Sequence, residues 1–160
     1  MVLLLGFWIW LGPVISAALK AGFLDQAQDR TLKAGQTVAN LKSMHQAILM
    51  YSESEGVLPD ASGWMDAAYT RLKTADLKED EAKKQMKAQE GLEKDEFGYA
   101  MNQSLSGKDP FDPKLKDEVL IFESSDKAWN AKGDPAKDGA KGRTAQAITL
   151  EGSLKPLKTP

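Results

Sequence analysis

Cysteine is absent from this chain, and histidine occurs once, at position 45. Without cysteine there is no disulfide, no thiolate zinc site and no thiol nucleophile. With one histidine, no Ser-His-Asp arrangement can be built except around His45. That residue falls on or beside an apolar helical stripe, where a lone histidine is ordinarily packed and hydrogen-bonded. A charge excess is missing too: 21 Lys and Arg face 23 Asp and Glu, for a net charge of −2. Nucleic-acid surfaces need clustered, unpaired basic residues, so nucleic acid is not an expected partner. A phosphate-cradling loop is lacking as well. GKDP at 107–110 and GDPAKDGAKG at 133–142 contain Gly and Lys, but not the spacing of a P-loop between a strand and a helix. Both read as turn-rich loops. No acid, base and nucleophile converge in the sequence, so the chain is not expected to be an enzyme.

What is present begins with an apolar run. Val2–Leu19, VLLLGFWIWLGPVISAAL, passes 18 residues without a charge. As a helix it would span roughly 27 Å, near the hydrocarbon thickness of a bilayer. Leu3, Leu4, Leu5, Phe7, Trp8, Ile9, Trp10, Leu11, Val14 and Ile15 supply its apolar surface. One proline, Pro13, is tolerable in such a helix. No Lys or Arg precedes the run, as a signal peptide would require. Ser16, Ala17 and Ala18 could still serve as a cleavage site, and a retained single-pass anchor is the favoured reading. The expected partners are the lipid bilayer and other transmembrane helices or subunits of a membrane complex. Lys20, Arg30 and Lys33 follow the span, and by the positive-inside rule alone they would leave the rest of the chain in the cytoplasm.

Helical periodicity continues past the anchor. Leu24, Ala27, Leu32, Val38, Leu41, Met44, Ile48 and Tyr51 recur mostly at spacings of three and four. Gly56 and Pro59 mark the expected stop. Ser62 is placed to cap a short helix in which Trp64, Ala68 and Leu72 share a face. The charge-rich stretch 73–93 reads as an exposed helix or a mobile excursion, without a convincing apolar face. From Phe97 onward, FGYAMN, EVLIFES and AQAITLEGSLKPL are short runs with β-branched or aromatic residues, separated by turn formers. Glu151-Gly152 could form a two-residue hairpin turn, which would put Pro156 on an edge strand. The expected fold class is therefore α+β: a long N-terminal helix, partly transmembrane, packed on a small antiparallel β-sheet. The expected organisation is an anchor over 1–20, an extension of the long helix over 21–56 and a small head over 57–160.

Two further groups stand out. Asp109, Asp112, Asp117, Glu123, Asp126, Asn130 and Asp134 crowd the sheet loops, and hard oxygen ligands of this kind could collect a calcium ion. Asp109, Asp112, Glu123 and Asp126 are the candidate set for a weak calcium site. Their spacing matches no EF-hand, and a solvated acidic loop is the competing reading. No other cofactor is expected. Trp64, Phe97, Tyr99, Phe111, Phe122 and Trp129 are the large aromatics of the head; most should be core, and one or two could form a contact patch.

The order of certain segments resembles the type IV pilin and type II secretion pseudopilin superfamily. The nearest subgroup is the bacterial pilin-like proteins with a C-terminal His, nine residues, then Asp-Gly. The segments are NLKSMHQAILMYSESEGVLPD at 40–60, GYAMNQSLSGK at 98–108, VLIFESSD at 119–126 and KGRTAQAITLEGSLKPL at 141–157. The resemblance covers roughly residues 38–157. It rests on Asn40, Leu41, Lys42, Tyr51, Leu58, Pro59, Gly98, Tyr99, Asn102, Glu123, Lys141, Glu151 and Gly152. Lys141 stands where the subgroup has His, and Glu151 where it has Asp. Gly6-Phe7 matches a prepilin processing site, but no basic residue precedes it and Leu11 stands where mature pilins have Glu. The resemblance implies a minor pilin or pseudopilin of a secretion or pilus apparatus, in the inner (cytoplasmic) membrane with its head on the periplasmic side. It also implies a loop comparable to one in which some pseudopilins hold calcium. An accessory or scaffold subunit of a larger membrane complex, reusing a pilin-like fold, is the alternative.

Overall fold

The computed structural model describes residues 23–73, 79–88, 92–142 and 144–157. The expected anchor, Val2–Leu19, lies outside them. Among the described residues no helix is long and apolar enough to cross a membrane. The chain divides into two units, residues 1–35 and 36–160. The second carries three helical segments and a five-stranded sheet, an α+β arrangement.

Helix α1, Phe23–Glu55, runs for 33 residues. It ends where the sequence predicts: Gly56 takes φ +79°, a left-handed value suited to glycine, and its N–H donates to the Ser52 carbonyl at 2.8 Å. From position 37 onward the predicted stripe is a core face. Leu41, Met44 and Ile48 are completely buried, with Ala47 beside them. Each of the three large side chains contributes about 1.5–3 kcal/mol relative to an exposed position. Helix α2, Trp64–Leu72, buries Trp64 and Ala68 as its spacing predicts; Leu72 is only half-buried, and Met65, outside that face, is buried as well.

The cap of α2 differs from expectation. Ser62 does not provide it; its hydroxyl and N–H both donate to Asp60 Oδ1. The helix is capped instead from 65 residues away, where Asn130 Oδ1 accepts the Met65 N–H at 2.7 Å. Helix α3, Glu79–Gln85, lies in the charge-rich stretch and does have an inner face: Ala82 is fully buried, and so is Met86 just beyond it.

The sheet holds β1 (Tyr99–Asn102), β2 (Val119–Glu123), β3 (Lys132–Gly133), β4 (Ala145–Thr149) and β5 (Leu154–Leu157), in the order β3-β1-β2-β4-β5. It is mixed rather than purely antiparallel. Four strands alternate in direction, but β3 runs parallel to β1. The cause is the path of residues 124–131. These stay at the end of the sheet where β2 finishes, tied there by the Phe97 N–H donating to the Lys127 carbonyl and the Trp64 indole donating to the Ala131 carbonyl. A strand leaving that end beside β1 must run with it.

One face of the sheet packs on α1 and the other holds a smaller cluster. A β-bulge sorts the side chains. Val119 opposes Thr149 and Ile121 opposes Ile148, so Leu120 is an extra residue on β2. Leu120 and Ile121 therefore both join the helix-side core, while Val119 and Phe122 join Ala100, Ala131 and Ala147 on the far side. At the β4–β5 turn, Thr149 and Ser153 pair through a backbone bond of 2.9 Å, and Gly152 N–H donates to the Thr149 carbonyl. The loop thus closes over Leu150–Gly152, three residues rather than two, with Gly152 at φ +94°. Pro156 lies on the edge strand as expected. Its partner is Gln146, and the alternation from the Thr149–Ser153 bond turns the proline nitrogen outward, where no ladder bond is lost.

Candidate functional site

The residues of the family resemblance are spread over the head, mostly in architectural roles. Asn40 is 2% exposed and donates from Nδ2 to the Lys87 carbonyl at 2.8 Å. Leu41 is core, Tyr51 half-buried, Leu58 and Pro59 buried, and Lys42 exposed. Gly98 takes φ +75°, and a Cβ there would sit 3.1 Å from the Ala88 Cβ. Tyr99 is buried opposite Glu123. Asn102 caps a 3₁₀ turn, accepting from Ser104 N–H, and donates to the Val119 carbonyl at 2.9 Å. Lys141 and Glu151 are exposed at turns. Gly152 abuts His45, whose Nε2–H donates to the Leu150 carbonyl at 2.9 Å. His45 is therefore a buried strut between α1 and the hairpin turn.

The acidic residues of the candidate calcium set are not brought together. Among the described residues no three such side chains group to hold a metal ion. Each carboxylate serves its own neighbourhood instead. Asp109 Oδ1 accepts from Phe111 N–H, Asp112 Oδ1 from Lys114 N–H and Asp126 Oδ1 from Ala128 N–H. Glu123 Oε2 accepts from Gln146 N–H at 2.7 Å in the interior of the sheet. Loop carboxylates spaced by two from a backbone donor close Asx turns, and that local use competes with ion binding.

A concave surface lies between α2, α3 and the segment entering β1, with Tyr69, Phe97 and Trp129 among mainly charged lining residues. Its cavity is about 930 Å³. Asp66 and Tyr69 come from one face of α2, three residues apart. Asp66 is locked in place: Oδ1 accepts the Trp129 indole N–H at 2.8 Å and Oδ2 the Asn130 amide at 2.7 Å. Asn130 alone among the described non-glycine residues has positive φ, 58°, which lets it reach both Asp66 and the α2 cap. Trp129 stands edge-on to Phe97, with ring centroids 4.8 Å apart, and to Tyr69 at 6.3 Å. Lys83 Nζ lies 5.9 Å above the Tyr69 ring and 2.9 Å from Glu79 Oε1. The Lys83 ammonium holds the Glu79 carboxyl below its ordinary value. Lys87 Nζ lies 5.3 Å from the Phe97 centroid and donates to the carbonyls of Glu93 and Lys94.

This arrangement can hold an apolar or planar group by aromatic contact and charge at the rim. Among the described residues no three carboxylates gather there to hold a metal ion. Sequence reasoning named Trp129 and Phe97 only as head aromatics, and missed Tyr69 and the α3 lysines. The signal in α3 is the pair Ala82 and Met86 at helical spacing amid charge. The other aromatic that stands apart is Phe111, 69% exposed on the loop before β2. No protein-family model, no curated protein and no solved structure matches the chain.

Proposed function

We propose that this chain is a non-enzymatic, pilin-like structural subunit, a minor pilin or pseudopilin of a secretion or pilus apparatus. Residues 2–19 anchor it in the inner membrane, and the head sits on the extracytoplasmic side. The observation that carries this reading is the use made of the long helix. Its C-terminal half lays an apolar stripe across one face of a small sheet, with Leu41, Met44 and Ile48 fully buried. Two polar residues of the resemblance support the same reading, since Asn40 and Asn102 are spent on backbone carbonyls and on capping.

The test is fractionation of the full chain after expression in a bacterium. The subunit reading expects it in the membrane fraction, resistant to alkaline carbonate and released by mild detergent. Protease added to spheroplasts should degrade the head. Recovery of the intact chain, residues 1–22 included, from the aqueous fraction without detergent would overturn the reading. A second reading, an accessory subunit of a stable membrane complex, is favoured by Leu11 standing where mature pilins carry Glu. Stoichiometric partners that survive detergent purification would select it.

A further inference from the structure

Helix α3 is held to the head by much less than the residues that follow it. Ala82 is the one residue of its seven that is buried. Lys83 adds a contact with α2, its Nζ 5.9 Å from the Tyr69 ring centroid. The Lys83–Glu79 pair, at 2.9 Å, joins two residues of α3 to each other, so it stiffens the helix without tying it down. Two turns of helix do not persist in water alone, since isolated helices below roughly 12–15 residues are marginal. α3 is therefore helical only while docked, and one methyl group with one cation near a ring docks it weakly.

From Met86 the character changes. Met86 is completely buried and belongs to the main core. The Lys87 carbonyl accepts Asn40 Nδ2–H from α1 at 2.8 Å. The Ala88 N–H donates to the Phe97 carbonyl at 2.6 Å. Gly98 completes the fit, because a Cβ there would meet the Ala88 Cβ at 3.1 Å. Met86–Ala88 is thus pinned by a core side chain, a bond to the long helix and a bond to the strand entry. The free energy at which a segment opens follows its buried apolar contacts and protected hydrogen bonds. A weakly docked helix beside a firmly pinned turn opens first and by itself.

We infer that α3, Glu79–Gln85, is a clasp that opens by local unfolding while the pin at Met86–Ala88 and the rest of the head stay folded. Opening lifts Lys83 from the Tyr69 ring and leaves that ring, edge-on to Trp129 at 6.3 Å, on a face the closed head does not offer. The clasp is independent of the subunit reading, and its test does not involve the membrane.

The native chain has no cysteine, so a single introduced thiol reports opening through its rate of reaction with an aromatic disulfide reagent. Four full-length variants are compared in mild detergent: Ala82→Cys in the clasp, Ala88→Cys in the pin, Ala68→Cys in α2 and Lys84→Cys as the exposed standard. Ala82→Cys should react about a hundredfold faster than Ala68→Cys, with Ala88→Cys slow like Ala68→Cys. Low urea should hardly change the Ala82→Cys rate, because little surface is exposed when α3 opens, and should accelerate Ala68→Cys. Adding Lys83→Gln should raise the Ala82→Cys rate roughly threefold and leave Ala68→Cys unchanged. Amide exchange on the unaltered chain should give the same gradient, fast at Lys83–Gln85 and slow at Ala88. Equal rates and equal urea dependence for Ala82→Cys and Ala68→Cys would mean that α3 opens only with the whole head. A rate for Ala82→Cys matching Lys84→Cys would mean that no clasp closes, and fast reaction of Ala88→Cys that no pin holds. Any of these three results overturns the inference.

Discussion

Gly152 is the position where one added methyl group should reveal how the hairpin is held to the long helix. Two effects combine there. At φ +94° an alanine sits in a region that costs an L-residue about 1–2 kcal/mol. The new Cβ would also lie 3.2 Å from His45 Cε1 and 3.7 Å from both ring nitrogens. The ring cannot swing aside freely, because its Nε2–H is bonded to the Leu150 carbonyl and the residue is 8% exposed. Overpacking of this kind adds about 1–2 kcal/mol. Gly152→Ala should therefore cost about 2–4 kcal/mol, a fall in melting temperature of roughly 10 °C. Gly56 is the internal control. It has φ +79° but nothing within 4 Å of a built Cβ, so Gly56→Ala bears the backbone cost alone. Thermal unfolding of the full chain in mild detergent measures both. The excess cost of Gly152→Ala should vanish in a His45→Ala background, as a double-mutant cycle. Equal costs for the two alanines, or an excess that survives removal of the imidazole, would refute the idea that His45 and the turn are packed as one unit.

Three other outcomes follow from the same geometry. Asn130→Ala should destabilise by about 2–3 kcal/mol, since it removes the cap on Met65, takes the donor from Asp66 Oδ2 and strains a positive φ, whereas Asn130→Gly should cost about 1 kcal/mol less by relieving the strain; denaturant midpoints of the two variants check the ordering. Asp60 is held below its ordinary carboxyl value first by the Ser62 hydroxyl and then by the Ser62 N–H. A group depressed on folding lends stability that is present above its unfolded value and is lost as pH falls through the folded one. Melting temperature should therefore decline on acidification into the carboxylate range, and Asp60→Asn should flatten part of that decline; an unchanged acid limb counts against the assignment. Pro156→Val should leave the melting temperature within error but add an outward N–H to the β5 edge, so light scattering should report greater self-association than the parent shows.

Local periodicity carried much of the architecture. α1 was legible because its stripe repeats at three and four and Gly56 ends it; β1, β2, β4 and β5 because each is a short apolar run between turn formers. What escaped is long-range. β3 is two residues, Lys132-Gly133, and is a strand only because Met101 and Asn102 lie beside it. The parallel direction follows from where Trp64 and Phe97 hold the preceding loop, and no pattern within 125–144 encodes that. The cap of α2 shows the same limit: Ser62 has the right type but lies one residue before the N-cap, Gly63; its hydroxyl and N–H go to Asp60, and Asn130 satisfies the Met65 N–H. The residues of the calcium set do not group among the described residues for a related reason: Asp109, Asp112 and Asp126 each accept from a backbone N–H two positions on, and Glu123 turns into the sheet toward Gln146.

The division between what was legible and what was not also bears on function. The residues that carry the pilin resemblance are mainly those that close the head: Asn40 on the Lys87 carbonyl, Gly98 beneath Ala88, Asn102 at a cap, Gly152 against His45. Such positions constrain a backbone path. The groove walled by Tyr69, Phe97 and Trp129 and the exposed Phe111 have the opposite character. The fold would close without the Phe111 ring, because its loop is set by Pro110, Pro113 and two Asx turns. A large apolar side chain left in water on a loop already made rigid gains nothing in the isolated head.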